Sequence, residues 1–209
     1  MMTGKRSGLI LLFLAVYLSW DAYALIYPFI GRWSADVTRS FLHLPLTSYH
    51  FEYTLVSWTV SHPVVHGVMR LVYNTGFTGS MVLTFLYTLQ APKLSKQLIK
   101  RYGLTFLILA VSFAVFHVYA PHVVYTLPEH YAPNNALTPP QFVFPSPHCA
   151  IAFVSLMTVW RRGDPLSIPL KVYLLLVPIS TVLLGEHWVW DVMAGFLVAL
   201  AAVWLEKRV

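Results

Sequence analysis

Three ionisable side chains stand at the edges of long apolar runs. His148 closes Phe144-Pro145-Ser146-Pro147-His148, while His187 and Asp191 lie in Gly185-Glu186-His187-Trp188-Val189-Trp190-Asp191. A charged side chain at the centre of a spanning helix costs about 2.5–3.5 kcal/mol on insertion scales, so such residues mark function by default. His187 and Asp191 are four apart and project from one face of a helical turn. A carboxylate that holds one ring nitrogen of an imidazole fixes its tautomer and stabilises positive charge, which leaves the other nitrogen to attack phosphorus. A second, protonated imidazole, His148, can then donate to the departing oxygen, a contribution of about 10²- to 10⁴-fold. Ser146 and the backbone N–H groups where the next helix starts offer donors to phosphoryl oxygens, because a helix amino terminus favours anions. This chemistry calls for neither a metal nor a cofactor.

The elements that must position these residues are membrane helices. Hydrophobic residues make up 57% of the chain and charged ones 11%, with a mean hydropathy of +0.65, against about 25% charged in a soluble domain. The expectation is an all-α, polytopic membrane protein forming one domain over residues 1–209, since this length holds five to seven spans and little else. The single cysteine, Cys149, excludes an internal disulfide and reads as a small packing residue. Apolar windows predict six spans, at roughly 8–30, 75–91, 102–120, 148–160, 167–184 and 191–205. Residues 50–74 mix His50, Glu52, His62, His66 and Arg70 with apolar neighbours and break at Pro63, which predicts an amphipathic helix in the interface.

Charge orients this bundle. With the amino terminus cytoplasmic, Lys5, Arg6, Lys93, Lys96, Lys100, Arg101, Arg161, Arg162, Lys171, Lys207 and Arg208 all fall inside, eleven of the fourteen basic residues. Only Arg32, Arg39 and Arg70 fall outside, as the positive-inside rule requires. The net charge of +6 is thus a topology signal, and no basic stripe interleaved with aromatics points to nucleic acid. Lys5 and Arg6 precede an apolar run as in a signal peptide, but the run is long and lacks a small-x-small cleavage site before Trp20 and Tyr23, so an uncleaved first span is expected. His148, His187 and Asp191 then share the extracytoplasmic surface. The proline-rich segment 121–147 reads as a lid or wall of the site.

Pro145-Ser146-Pro147-His148, with Gly185-Glu186-His187 and Asp191, resembles the Pro-Ser-x-His and His-x-x-x-Asp motifs of the type 2 phosphatidic acid phosphatase superfamily of lipid phosphatases and phosphotransferases. The 39-residue interval from His148 to His187 suits one transmembrane hairpin. In motif form the closest branch is that of the inositol phosphorylceramide synthases. The resemblance covers about residues 100–205. It implies six helices, an extracytoplasmic or lumenal site and a phosphohistidine intermediate, with His187 as nucleophile, Asp191 as its partner and His148 as general acid. The sequence departs from the family where a phosphate-binding arginine commonly stands six residues before the nucleophile, a position held here by Thr181 beside Ser180. A Lys and Arg common upstream are also missing around His117 and His122. Candidates for the phosphate's partner are Arg70, His122, Arg32 and Arg39, and Arg70 leads because His62, His66 and Arg70 recur at four-residue spacing along one face of the expected interfacial helix and an arginine fork suits phosphate.

The function expected is a lipid phosphatase acting on a phosphatidic-acid-like lipid or a polyprenyl diphosphate. A phosphotransferase passing a phospho-head group to an alcohol is the first alternative, and a non-catalytic lipid-binding or transport bundle the second. The partner implied is a membrane lipid; oligomeric state is not legible. His117 and His122 lack a third ligand at a spacing that would hold a metal. Glu186 reads as ordering the turn, and Asp21 as a polar contact of the first span.

Overall fold

The computed structural model describes residues 2–128 and 141–208. The described chain is 76% helical, in the order α1 (Met2–Ile30), α2 (Thr38–Phe41), α3 (Tyr49–Val60), α4 (Pro63–Thr88), α5 (Pro92–Val115), α6 (Pro121–Val124), α7 (Pro147–Val159), α8 (Ser167–Leu183) and α9 (Val189–Glu206). Prolines start four of these helices, α4, α5, α6 and α7, because a first-turn residue has no intrahelical use for its N–H. Two-residue strands β1 (Ala35–Asp36) and β2 (Phe116–His117) pair in parallel, Ala35 with Phe116 and Asp36 with His117. They tie the segment after α1 to the end of α5.

Helix α7 is the axis of the molecule. Its sequence, Pro-His-Cys-Ala-Ile-Ala-Phe-Val-Ser-Leu-Met-Thr-Val, is apolar on every side, as expected of a helix buried all round. Cys149, Ala150, Ile151, Ala152 and Val154 are fully buried, and α4, α5, α8 and α9 surround them. Gly195 lets α9 come this close, since a Cβ there would lie 3.0 Å from Cys149 Cβ and 3.0 Å from Ser146 O. Helix α1 packs outside, on α5, through an aromatic seam in which Trp20 stacks on Phe106 at 4.9 Å. Phe142 enters that seam from the loop before α7, 4.5 Å from the rings of both Tyr27 and Phe113. It anchors the approach to Ser146.

Three helical segments are long and apolar enough to cross a membrane: Arg6–Trp33, Pro92–Val115 and Val189–Glu206. Helices α7 and α8 are shorter apolar helices. Many large apolar side chains on the outer faces are exposed, among them Leu11, Phe29, Leu107 and Leu197, the surface a bilayer would cover.

The structure corrects the reading of residues 50–74. They form no single amphipathic helix: α3 ends at Val60, and α4 runs unbroken from Pro63 through the expected boundary near residue 75. Arg70 and Asn74 lowered the local hydropathy and hid the first three turns of a 26-residue helix. His62 caps α4 and so does not share one continuous helix face with His66 and Arg70. The basic stretch 93–101 is likewise helical, being the start of α5. Its Arg101 is buried, pairs with Glu206 at 3.1 Å and donates to Thr158 Oγ1 at 3.0 Å, joining α5, α7 and α9. Residues 129–140, the middle of the proposed lid, lie outside the described residues.

Candidate active site

The site is built at three helix termini. Ser146 caps α7, its hydroxyl accepting the N–H of Cys149 at 3.3 Å. Helix α8 ends at Leu183, and two residues on Gly185 has a φ of +66°, the left-handed conformation that glycine adopts without strain. The chain then reverses so that the N–H groups of Glu186 and His187 both donate to Thr181 O, at 3.0 and 3.1 Å. Asp191 sits in the first turn of α9, and its Oδ2 accepts the N–H of Trp188 at 2.7 Å. Trp188, fully buried, donates its indole N–H to Tyr119 O at 2.8 Å and locks the turn to the segment after α5.

This scaffold aims His187. Its Nδ1 lies 3.1 Å from Val143 O and 3.5 Å from Asp191 Oδ2. Both neighbours are acceptors, so Nδ1 carries the proton and Nε2 keeps its lone pair. Nε2 lies 3.3 Å from the Ser146 hydroxyl. Burial pulls the His187 pKa down to about 4, against a smaller upward pull from the Val143 carbonyl. The ring is therefore neutral at neutral pH, the state a nucleophile needs. His148 faces it with ring centroids 5.9 Å apart at 61°. Tyr73 of α4 stacks on the His148 ring at 4.9 Å, and Phe77 meets it edge-on at 5.8 Å.

A second polar cluster adjoins the turn. The Tyr73 hydroxyl donates to Glu186 Oε2 at 3.3 Å, and His122 Nδ1 lies 3.5 Å from the same oxygen and 3.2 Å from Gly185 O. Glu186 is buried, its Oε1 has no hydrogen-bond partner, and burial pushes its carboxyl up to about 8. Beyond Trp188, Glu52 of α3 is also fully buried, with both oxygens unpartnered.

Of the residues singled out from sequence, His148, His187, Asp191 and Ser146 converge, and His122 lies against the turn through Glu186. Thr181 is fully buried with its hydroxyl donating to Pro178 O at 2.8 Å, 3.6 Å from Cys149 Sγ. It serves the turn through its carbonyl. Arg70 stands three residues before Tyr73 and seven before Phe77, on the α4 face that carries both. Arg32 instead lies over the Trp33 ring, at 4.2 Å. Sequence reasoning missed Tyr73, one of twelve tyrosines, and the Val143 carbonyl, which no side-chain motif announces. Among the described residues no three His, Cys, Asp or Glu side chains are grouped to hold a metal ion.

Residues 46–205 match the PAP2 superfamily, and the chain belongs to it. Membership points to a phosphatase or phosphotransferase. The chain is also 27% identical over 176 residues to an uncharacterized protein of Methanocaldococcus jannaschii, covering 78% of this chain and 68% of that protein. No solved structure matches.

Proposed function

We propose that this protein is an integral membrane lipid phosphatase that works through a phosphohistidine on His187. The observation that carries the reading is the His187 ring itself, with Nδ1–H committed to Val143 O and Asp191, Nε2 turned toward Ser146, and the His148 ring 5.9 Å away between centroids. Nε2 attacks phosphorus, and the P–N bond forms as the bond from phosphorus to the lipid oxygen breaks. His148 gives that oxygen its proton. Val143 O and Asp191 stabilise the charge that builds on the His187 ring. Water then attacks phosphorus, His148 takes the water's proton, and the P–N electron pair returns to Nε2. The Ser146 hydroxyl, the backbone N–H of His148 at the start of α7 and Arg70 are the phosphate's partners.

In this reading α1, α4, α5, α7, α8 and α9 are the six spans, with α3 lying in the interface. The His187 turn faces the extracytoplasmic side, because the basic residues cluster at the opposite helix ends. The substrate is a phosphatidic-acid-like lipid or a polyprenyl diphosphate whose phosphate lies at head-group level. Phosphate release by the purified protein with EDTA present, from a panel of both lipid classes, tests the reading. Release that disappears in His187→Ala is the expected result; release that persists in that variant refutes the mechanism.

The Glu186, Tyr73 and His122 cluster favours a second reading, a phosphotransferase like the inositol phosphorylceramide synthases, because an acceptor alcohol needs polar groups beside the nucleophile. Adding glycerol or inositol and following phosphoryl transfer to the alcohol separates the two.

A further inference from the structure

A groove of about 640 Å³ runs along the outside of α4 where it meets α8, lined by Leu71, Val72, Thr75, Thr78, Val82 and Tyr173 among others. Its volume lies within the range of about 300–1,000 Å³ of small-molecule sites. The upper end is at the catalytic level: Val72 adjoins Tyr73, which stacks on His148, and a Cβ on Gly76 would lie 3.5 Å from His148 Cδ2. From Leu71 to Leu83 the helix rises about 18 Å, slightly more than half of the ~30 Å hydrocarbon core. Along the helix the groove therefore begins at the depth of His148 and continues for about one leaflet.

Its polar side chains are Asn74, Thr75, Thr78 and Tyr173, and the three hydroxyls are already engaged. Thr75 Oγ1 donates to Leu71 O at 2.8 Å and accepts the Tyr173 hydroxyl at 3.0 Å, while Thr78 Oγ1 bonds the Tyr17 hydroxyl at 3.0 Å. A polar occupant would gain little from these hydroxyls in exchange for its lost hydration. Hydrocarbon loses nothing there.

We propose that this groove seats one hydrocarbon chain of the phosphorylated lipid, acyl or isoprenoid, with the phosphate at its His148 end. The inference rests on the lipid-phosphoester reading above. It makes chain length a determinant of turnover up to about one leaflet, beyond which further methylenes leave the groove.

Two measurements on the full-length protein in nanodiscs test it. Phosphatidic acid and farnesyl diphosphate analogues carrying a diazirine near the chain end are photolysed, and phosphatidylcholine with the same label is the control. Labelling within residues 71–83 or at Tyr173 by a phosphate-bearing probe, in excess over phosphatidylcholine, is expected, and the probe that labels tells acyl from isoprenoid. Equal labelling by all three lipids makes the groove a bulk-lipid surface and overturns the proposal, as does labelling elsewhere or cross-linking to a second copy of the chain.

Val82→Trp, which narrows the groove, is then assayed on long-chain and dihexanoyl phosphatidic acid. The excluded methylenes pass into lipid, not water, and lose only packing contacts, so a fall of about two- to tenfold in the long- to short-chain ratio is expected, and Val82→Ala should leave or raise that ratio. A constant ratio in Val82→Trp overturns the proposal. If the unaltered protein releases phosphate from no lipid, the phosphatase reading fails and the photolabelling alone decides the groove.

Discussion

His187 owes its tautomer to two acceptors on the same side of its ring. Where a carboxylate alone sets the tautomer of a catalytic histidine, its replacement by the amide costs about 10⁴-fold. Here the Val143 carbonyl, at 3.1 Å, is nearer to Nδ1 than Asp191 Oδ2 at 3.5 Å. Asp191→Asn should therefore keep the tautomer and lose mainly charge stabilisation, a fall of about 10- to 100-fold in single-turnover phosphate release. A loss near 10⁴-fold would show that the carbonyl does not hold the ring by itself. Asp191 also accepts the Trp188 N–H, a bond that an amide oxygen retains. The motif residues were legible because ionisable groups are scarce in so apolar a chain. Val143 was not, because a backbone carbonyl acts whatever side chain it carries.

The elements differ in how they are held. Helices α7 and α9 meet through small residues and backbone, with Gly195 against Cys149 and Ser146, whereas α3 docks with a buried carboxyl. Burial first, and the charge of Asp191 second, pushes Glu52 up to about 8 from its ordinary 4.5. The folded state therefore holds a proton that the unfolded chain releases above 4.5. The stability linked to it is full below pH 4.5 and is lost as pH rises through 8. Glu186, shifted by burial in the same direction to about 8, adds to the trend. His187, depressed to about 4, contributes stability above pH 6.5 that is lost as pH falls toward 4. The thermal midpoint should thus fall between pH 6.5 and 9, and Glu52→Gln, which cannot ionise, should be a few degrees more stable than the parent at pH 9. Equal midpoints for the two proteins at pH 9 would place Glu52 in water or with a cation.

Across the whole molecule, chemistry gathers at one end and basic charge at the other. The far end is tied by Arg101, Glu206 and Thr158, and by the Tyr87 hydroxyl donating to Asp164. Native Cys149 is buried, so single engineered cysteines report topology against a silent background. His62→Cys at the exposed start of α4 should react with a membrane-impermeant maleimide in intact cells. Lys96→Cys, exposed on the first turns of α5, should react only after permeabilisation. Reaction of both from the same side would refute the six-span arrangement.

Composition alone determined that this is a helical membrane protein, because 57% hydrophobic and 11% charged residues leave too little polar surface for a soluble fold of this length. The placing of ionisable groups at the edges of apolar runs, with the resemblance of their motifs to a known family, located His148, His187 and Asp191. The boundary of α4 escaped the sequence because Arg70 and Asn74 look like a break in hydropathy until their helix is seen against α7 and α8. The role of Tyr73, its bond to Glu186 and the α4–α8 groove depended wholly on tertiary structure. Residues 73 and 186 are 113 positions apart, and no local pattern states that a tyrosine on one helix will stack on a histidine of a second and bond a carboxylate beyond a third.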